Sequence, residues 1–227
     1  MLSALDYLDL APRAALAFVL GAVPFAWLIV RLGKGLDVRT LGSGNVGATN
    51  ASRAFAGKGA RIGVFLTVYL LDAGKGFFAT QLGWVSGSWV SGAWVSGAWA
   101  ADSWAAESLL VAVICAAGAI LGHVFTPFLG GRGGKGVATA SGALLALDWR
   151  VTVIGLAVFF VVRFATGQVF FGSLALGVGL AGAAIAVAPA VAFGERLPLT
   201  VLCVLIALFL FWTHRSNLRQ FLAARKS

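Results

Sequence analysis

The sequence predicts an all-α integral membrane protein with about seven membrane-spanning helices, and its composition, hydropathy and segment lengths all indicate this fold class. Of the 227 residues, 60% are hydrophobic and only 11% are charged, whereas soluble domains carry about 25% charged residues. The mean hydropathy is +0.94. Long apolar runs recur along the whole chain, as expected of spanning helices. We therefore expect residues 1–227 to form a single membrane-embedded domain.

A spanning helix needs roughly 20 predominantly apolar residues, and the sequence offers seven candidate segments. In chain order they are 13–33, 60–83, 105–128, 136–147, 150–164, 169–192 and 198–214. The fourth and fifth segments are too short to span alone. We predict that these two form half-length helices packed within the bundle.

Lysine and arginine predict how the chain is oriented, because they accumulate on the cytoplasmic side of membrane proteins. An external N-terminus places most of them inside, namely Lys34, Arg39, Arg53, Lys58, Arg61, Arg132, Lys135, Arg163, Arg215, Arg219, Arg225 and Lys226. Only Arg13, Arg150 and Arg196 then lie outside. The sequence thus predicts an external N-terminus and a cytoplasmic C-terminus. Because this topology accounts for the net charge of +9, no nucleic-acid partner is expected.

Tryptophan recurs every five residues in the segment 84–104, WVSGSWVSGAWVSGAWAADSW. This period fits neither a helix face nor a strand face, and the intervening glycines and serines favour a flexible connection. We predict an external loop whose tryptophans rest at the membrane interface. A carbohydrate-binding surface is the less favoured alternative.

Three polar clusters interrupt the apolar pattern, all on the predicted cytoplasmic side, and the first is LGSGNVGATNASR at 41–53. Its glycines let the backbone approach a ligand closely, and Arg53 offers a guanidinium fork suited to phosphate. The candidate binding residues are Ser43, Asn45, Gly47, Thr49 and Asn50. An ordinary turn with helix caps uses the same residue types, but their density in a membrane protein favours a functional site.

The second cluster is LGGRGGKGVATASG at 129–142. Its glycines can orient consecutive backbone N–H groups into an anion-binding nest, Lys135 adds a positive charge, and a helix starting near Val137 adds its N-terminus. The glycines are Gly130, Gly131, Gly133, Gly134 and Gly136. The motif is not a Walker A loop, which needs glycine at the position of Leu129 and Ser or Thr at that of Gly136. The alternative is a flexible basic loop that serves topology alone.

The third cluster is HRSNLR at 214–219. If the preceding helix continues, His214 and Asn217 lie on one side of it, and a histidine there can bind phosphate or move a proton. An interfacial histidine beside a basic anchor is an equally good interpretation. Within the apolar segments, Asp72 and Lys75 form either a functional pair or a structural ion pair. His123 either orients the glycine loop or is a core histidine.

Taken together, these clusters closely resemble the bacterial acyl-phosphate:glycerol-3-phosphate acyltransferases, the PlsY family. The matching stretches are GSGNVGATN with Arg53, DAGKG at 72–76, GHVFTP at 122–127, GGKGVAT at 133–139, and His214 with Asn217. They match in order and spacing over essentially the whole chain. The chain departs from the family pattern at Ala22, where serine is usual, and around His214, which Thr213 rather than arginine precedes.

The resemblance implies a seven-helix enzyme of the bacterial inner membrane with its active site on the cytoplasmic face. It implies transfer of a fatty acyl group from acyl phosphate to the sn-1 hydroxyl of glycerol 3-phosphate, without metal or cofactor. The implied products are lysophosphatidic acid and phosphate, and a functional link to an acyl-phosphate-forming enzyme follows. The functional positions that match are Ser43, Arg53, Lys135, His214 and Asn217, and Ser173 matches a substrate-contacting serine.

Two mechanisms and two rival functions follow from the same residues. A substrate phosphate can accept the hydroxyl proton, which we prefer, or His214 can act as general base. A transporter of phosphorylated metabolites would show internal repeats and polar residues along several helices, which the sequence does not. A metal-dependent phosphotransferase needs clustered carboxylates, but the predicted cytoplasmic side has only Asp37.

Overall fold

The structure, a computed structural model, describes residues 4–84 and 106–224, with side chains from Leu10 and from Leu109 onward in the two stretches. The chain divides into two compact units, 1–146 and 147–227. Apart from Trp84, which ends a helix, the predicted external loop 84–104 lies outside the described residues.

Helices make up the regular secondary structure of both units in the part of the chain that the structure describes. Unit 1 contains α1 (Ala4–Ala22), α2 (Phe25–Lys34), α3 (Ala48–Ser52), α4 (Lys58–Trp84), α5 (Ala106–Val124) and α6 (Val137–Leu147). Unit 2 contains α7 (Trp149–Thr166), α8 (Val169–Ala186), α9 (Leu197–Thr213) and α10 (Arg215–Ala224).

Each of the seven predicted segments contains a helix, and the all-α membrane fold class is confirmed. The stretches long and apolar enough to span are Leu10–Lys34, Lys58–Trp84, Leu109–Leu129, Trp149–Thr166 and Val169–Ala186. The helices α9 and α10, which meet at 49°, make up to six such stretches in the described residues when the pair is counted as one span. The fourth segment is the short helix α6, with 11 residues.

The prediction that the fifth segment is half-length is wrong, because α7 has 18 residues. The Asp148 carboxylate caps its first turn by accepting from the N–H groups of Arg150 and Val151. Its C-terminus lies at Gly167, whose φ of 70° is left-handed. The helix therefore extends beyond the predicted segment 150–164 by Trp149 at its start and by Ala165 and Thr166 at its end.

The first span is broken at Pro24, and side chains from α4 and from the segment just after α5 donate hydrogen bonds to the backbone carbonyls at the break. Proline cannot donate a helical hydrogen bond, and within a bilayer no water replaces it. The Thr126 hydroxyl donates to the Ala22 carbonyl at 2.6 Å, and the Lys75 ammonium donates to the Val23 carbonyl at 2.7 Å. Lys75 also pairs with Asp72 at 2.8 Å. The interpretation of Asp72 and Lys75 as a structural ion pair therefore has a physical basis.

Glycines let the helices of unit 1 pack backbone against backbone. A β-carbon on Gly76 or Gly142 would overlap the backbone of the facing helix at Thr139 or Ala73. These contacts hold α6 tightly against α4, as small residues do between membrane helices. They explain how an 11-residue helix keeps a fixed position within the unit.

Unit 2 is built in the same way. A β-carbon on Gly177 of α8 would lie 2.8 Å from the α-carbon of Ala207 on α9. In the same unit, Phe221 of α10 packs edge-on against Phe171 of α8, with ring centroids 4.9 Å apart. Asp148 is buried and pairs with Arg196, at the start of α9, and with Arg150 at 3.2 Å.

Candidate active site

The first polar loop is organised by the buried side chain of Asn50. Its amide nitrogen donates to the carbonyl oxygens of Val38 (2.9 Å), Leu41 (2.9 Å) and Asn45 (3.0 Å). Its amide oxygen accepts from the N–H of Ser43 at 3.2 Å. Because an amide has only two N–H donors, the three carbonyls share them, and both polar atoms of the side chain have partners within the protein. Asn50, predicted to bind substrate, instead fixes the shape of the loop.

The guanidinium of Arg53 lies over the turn that carries Ser43. A β-carbon on Gly42 would lie 2.7 Å from Nη1 of Arg53, and the φ of +48° at Gly42 is left-handed. Both the lack of space and the backbone conformation therefore favour glycine at this position. The side chains of Ser43, Thr49 and Arg53 are exposed. These three residues of unit 1 therefore expose two hydroxyls and one guanidinium.

Asn45 and Gly47 connect this turn to α3. Gly47 is the N-cap of the helix, and its N–H donates to the Asn45 carbonyl at 3.1 Å. A β-carbon on Gly47 would lie 2.9 Å from Nδ2 of Asn45. The side chain of Asn45 is half-buried and lies next to the start of α3.

The glycine loop differs from the predicted nest. Four of its glycine N–H groups donate to carbonyl oxygens at the end of α5 and just after it: Gly130 to Pro127 (3.2 Å), Gly131 to Thr126 (2.8 Å), Gly133 to Val124 (2.9 Å) and Gly134 to His123 (3.1 Å). The expectation that these glycines form a consecutive N–H cradle is therefore wrong. Their hydrogen bonds fold the loop back onto the helix before it, which requires backbone contact that only glycine permits.

The features of this loop that attract an anion lie at its end. Gly136, with a left-handed φ of +84°, turns the chain into α6, which begins at Val137 as predicted. The first N–H groups of a helix have no partner within it, and the helix dipole makes this end positive. Lys135 lies directly before this turn, so the helix N-terminus and the ammonium are adjacent in sequence.

The two polar loops adjoin within unit 1. A β-carbon on Gly134 would lie 2.6 Å from the carbonyl oxygen of Val46. Val46 and Leu129 also belong to one buried cluster that packs the two loops together. The structure therefore brings the loop of Ser43 and Arg53 next to the loop of Lys135, although 82 residues separate Arg53 from Lys135 in the sequence.

The Lys135 side chain is half-buried. Burial disfavours its charged form and lowers the pKa of its ammonium to about 8. The group is still mainly cationic at neutral pH. It loses its charge as the pH rises through 8, well below the range in which an exposed lysine titrates.

The remaining predicted residues lie in unit 2. His214 is buried at the break between α9 and α10, and its Nδ1 lies 2.9 Å from the Leu210 carbonyl oxygen. Because that oxygen only accepts, Nδ1 carries a proton in this contact, and in the neutral form of the ring the lone pair is on Nε2. The helix does not continue unbroken through this cluster, because α9 ends at Thr213 and the axis bends by 49° before α10. Asn217 is half-buried in the first turn of α10.

Ser173 is also in unit 2, buried on α8. Its hydroxyl donates to the Val169 carbonyl, four residues earlier, at 3.1 Å. The hydroxyl oxygen retains acceptor capacity.

Comparison with known proteins gives one family. The family model for glycerol-3-phosphate acyltransferase matches residues 13–224. A glycerol-3-phosphate acyltransferase of Jannaschia sp. (strain CCS1) is 38% identical over 212 residues, covering 91% of this chain and 86% of the relative. One of Prochlorococcus marinus (strain MIT 9215) is 31% identical over 217 residues, covering 93% of both chains.

Two solved structures are similar over almost their full length. Both are crystal structures of PlsY, described as an integral membrane glycerol 3-phosphate acyltransferase. The glycerol 3-phosphate form has a TM-score of 0.74 and 28% identity, and covers 95% of this chain and 93% of that chain. The lysophosphatidic acid form has a TM-score of 0.71 and 25% identity. This chain is thus a multi-pass integral membrane protein that belongs to the glycerol-3-phosphate acyltransferase family.

Proposed function

We propose that this protein is a glycerol-3-phosphate acyltransferase that uses acyl phosphate as its donor. It transfers the fatty acyl group to the sn-1 hydroxyl and releases lysophosphatidic acid and phosphate, the first step of phospholipid biosynthesis. The observation that carries the proposal is the contact between two loops: the polar loop with Arg53 and the glycine loop with Lys135. The membership of the chain in this family gives that contact its meaning. Both substrates are phosphates, and this face of unit 1 has two cations and a helix N-terminus to bind them.

Each part of the two loops has a separate task in binding. Arg53 offers two parallel N–H donors to one phosphate, and Lys135 with the N-terminus of α6 binds a phosphate as a point charge and a dipole. The neutral groups of Ser43, Asn45 and Thr49 hydrogen-bond substrate oxygens. Four glycines let the backbone lie close to the substrate and contribute no charge, namely Gly47, Gly133, Gly134 and Gly136.

The reaction then needs positioning more than a strong nucleophile. The sn-1 oxygen attacks the acyl carbonyl carbon and forms the ester bond, the bond from that carbon to the phosphate oxygen breaks, and phosphate leaves with the electron pair. The hydroxyl proton passes to a phosphate oxygen of a substrate. Lys135 stabilises the charge that develops on the leaving phosphate, as preorganised donors do at other acyl-transfer sites.

The third cluster supplies the alternative proton acceptor. In the tautomer that the Leu210 carbonyl selects, Nε2 of His214 carries the lone pair that a general base needs. Asn217 and Ser173 have neutral polar groups that can hydrogen-bond a substrate. We assign all three residues of unit 2 to this reaction on the strength of the family's matching motifs.

An assay of the purified protein tests the function directly. With palmitoyl phosphate and glycerol 3-phosphate we expect lysophosphatidic acid and phosphate in equal amounts, with the acyl group on the sn-1 oxygen. Glycerol, which lacks the phosphate, is the control acceptor and should react far more slowly. Phosphate release that is the same with glycerol or with no acceptor would show an acyl-phosphate hydrolase instead.

The pH dependence should report the ionisation of Lys135. We expect kcat/KM, which reflects the free enzyme, to fall as the pH rises through about 8, because the ammonium then loses its charge. Lys135→Arg carries a guanidinium that stays charged above pH 12, so it should remove this decline. An unchanged alkaline decline in Lys135→Arg would assign the ionisation to another group.

We also propose that the protein lies in the bacterial inner membrane with its N-terminus outside and its C-terminus in the cytoplasm. The lysine and arginine distribution supports this orientation, and it gives the two loops access to a cytoplasmic acyl-phosphate-forming enzyme. Cysteine introduced at the exposed positions Arg132 or Lys58 should react with an impermeant reagent only from the cytoplasm. Cysteine at exposed Glu195 should react only from outside, and the reverse pattern would contradict the topology.

A further inference from the structure

Three ionisable side chains lie together in the apolar interior of unit 1. Asp72, Lys75 and His123 expose only 2%, 8% and 7% of their surface. Oδ1 of Asp72 lies 2.8 Å from Nζ of Lys75 and 3.6 Å from Nδ1 of His123. The break at Pro24 accounts for Lys75, whose ammonium donates to the Val23 carbonyl. The break does not explain why a histidine is buried at position 123 on α5, because His123 makes no contact there that repairs a backbone carbonyl of the break in the described hydrogen bonds.

The other contacts of His123 are with the glycine loop. The main-chain carbonyl of His123 accepts from the N–H of Gly134 at 3.1 Å, and the next carbonyl, of Val124, accepts from Gly133 at 2.9 Å. The imidazole lies directly against Gly134, since a β-carbon there would overlap its Nε2. His123 thus contacts Gly134 with both its main chain and its side chain.

The position of Gly134 decides where Lys135 lies. The two residues are adjacent, and Lys135 is followed at once by the turn at Gly136 into α6. A rotation of the imidazole away from Gly134 would leave the loop held by the main-chain bonds alone. The carboxylate of Asp72 opposes that rotation, because it faces Nδ1, the ring nitrogen away from Gly134.

We propose that His123, oriented by Asp72, is a positioning residue that holds the glycine loop and so places Lys135 for phosphate binding. The chain of contacts runs from the structural pair of Lys75 and Asp72, through the ring of His123, to the loop. His123 itself does not touch the substrate. The consequence for catalysis rests on the proposed function, whereas the control of the loop position does not.

Hydrogen exchange measures the loop position without reference to activity. Replacing His123 with leucine keeps an apolar side chain of moderate size between the helices and removes the planar ring and its nitrogens. We expect the amides of residues 130–136 to exchange at least about tenfold faster in His123→Leu, with α4, α5 and α6 unchanged. His123→Gln, which retains a polar group near Gly134, should restore part of the protection.

Cys115→Ala is the matched control. Cys115 is fully buried on the same helix and packs in a cluster with Ala17, Ala79, Val111 and Ala119. This control should leave the exchange of the loop as in the wild type. Faster exchange spread evenly over unit 1 in His123→Leu would show a merely structural role and overturn the proposal, as would unchanged exchange of the loop.

Kinetics provide the second measurement. A misplacement of about 1 Å can cost about 100-fold, so we expect kcat/KM for glycerol 3-phosphate to fall by up to this factor in His123→Leu. If that variant does not fold, His123→Gln replaces it, and we expect its loop amides to exchange faster than in the wild type, because its side chain lacks the planar ring that lies against Gly134. Normal loop exchange in His123→Gln would then overturn the proposal. An inactive wild type would overturn the proposed function, while the exchange data would still decide the positioning role.

Discussion

The protein is expected to use acyl phosphate and to refuse acyl thioesters by several orders of magnitude. A thioester has no phosphate on its reacting carbonyl, so Lys135 and the N-terminus of α6 would face an uncharged group there. Coenzyme A does contain phosphates, but they lie far from the thioester. A site whose buried donors stay unpaired with the wrong partner can reject it by about 10⁴-fold.

Palmitoyl phosphate and palmitoyl-CoA at equal concentration, each with glycerol 3-phosphate, make the comparison. The expected result is formation of lysophosphatidic acid from the first donor and almost none from the second. The Lys135→Ala variant serves as the control, since it should lose most of the preference for acyl phosphate. Comparable rates with both donors in the wild type would contradict a binding site built for the phosphate of the donor.

Replacing Lys135 with alanine is expected to lower kcat by about 10²–10³-fold while the protein stays folded and inserted. Loss of one preorganised donor in an acyl-transfer site costs roughly 2.7–4 kcal/mol of transition-state stabilisation, and we take that range by analogy. The fold should tolerate the change, because the side chain is only half-buried and burial already disfavours its charge.

Lys58→Ala is the matched control for this experiment. Lys58 is an exposed lysine at the start of α4, on the same predicted side of the membrane. It should leave kcat within a factor of about two and the thermal transition unchanged, as for most surface substitutions. Near-normal turnover of Lys135→Ala at saturating substrate would show that the glycine loop does not stabilise the reacting phosphate.

The helices could be predicted from the sequence because membrane insertion imposes a simple rule on apolar length. Every apolar segment contains a helix, and the start of α6 at Val137 followed from the glycine-to-apolar transition. The break at Pro24 could be suspected from the proline alone. The hydrogen bonds that satisfy the carbonyls at this break could not be predicted, because their donors Thr126 and Lys75 lie about 102 and 51 residues away along the chain.

The candidate site was predictable in residue type but not in hydrogen bonding. A glycine-rich loop with lysine indicates an anion site. The sequence cannot show, however, that the N–H groups of Gly133 and Gly134 donate to backbone carbonyls of α5 rather than to a ligand. In the same way, a buried Asn50 and a ligand-binding Asn50 have the same local sequence. Which of the two occurs depends on the carbonyls of Val38 and Leu41, and only the folded loop brings them within reach.

The positions of glycerol 3-phosphate and of an unreactive acyl-phosphate analogue, determined structurally in the protein in a lipid environment, would show most directly whether the two loops bind both substrate phosphates. We predict that an oxygen of a substrate phosphate lies about 2.7–2.9 Å from Nζ of Lys135, next to the first N–H groups of α6. A bound substrate whose phosphate lies away from both Lys135 and Arg53 would show that the two loops are not the phosphate-binding site.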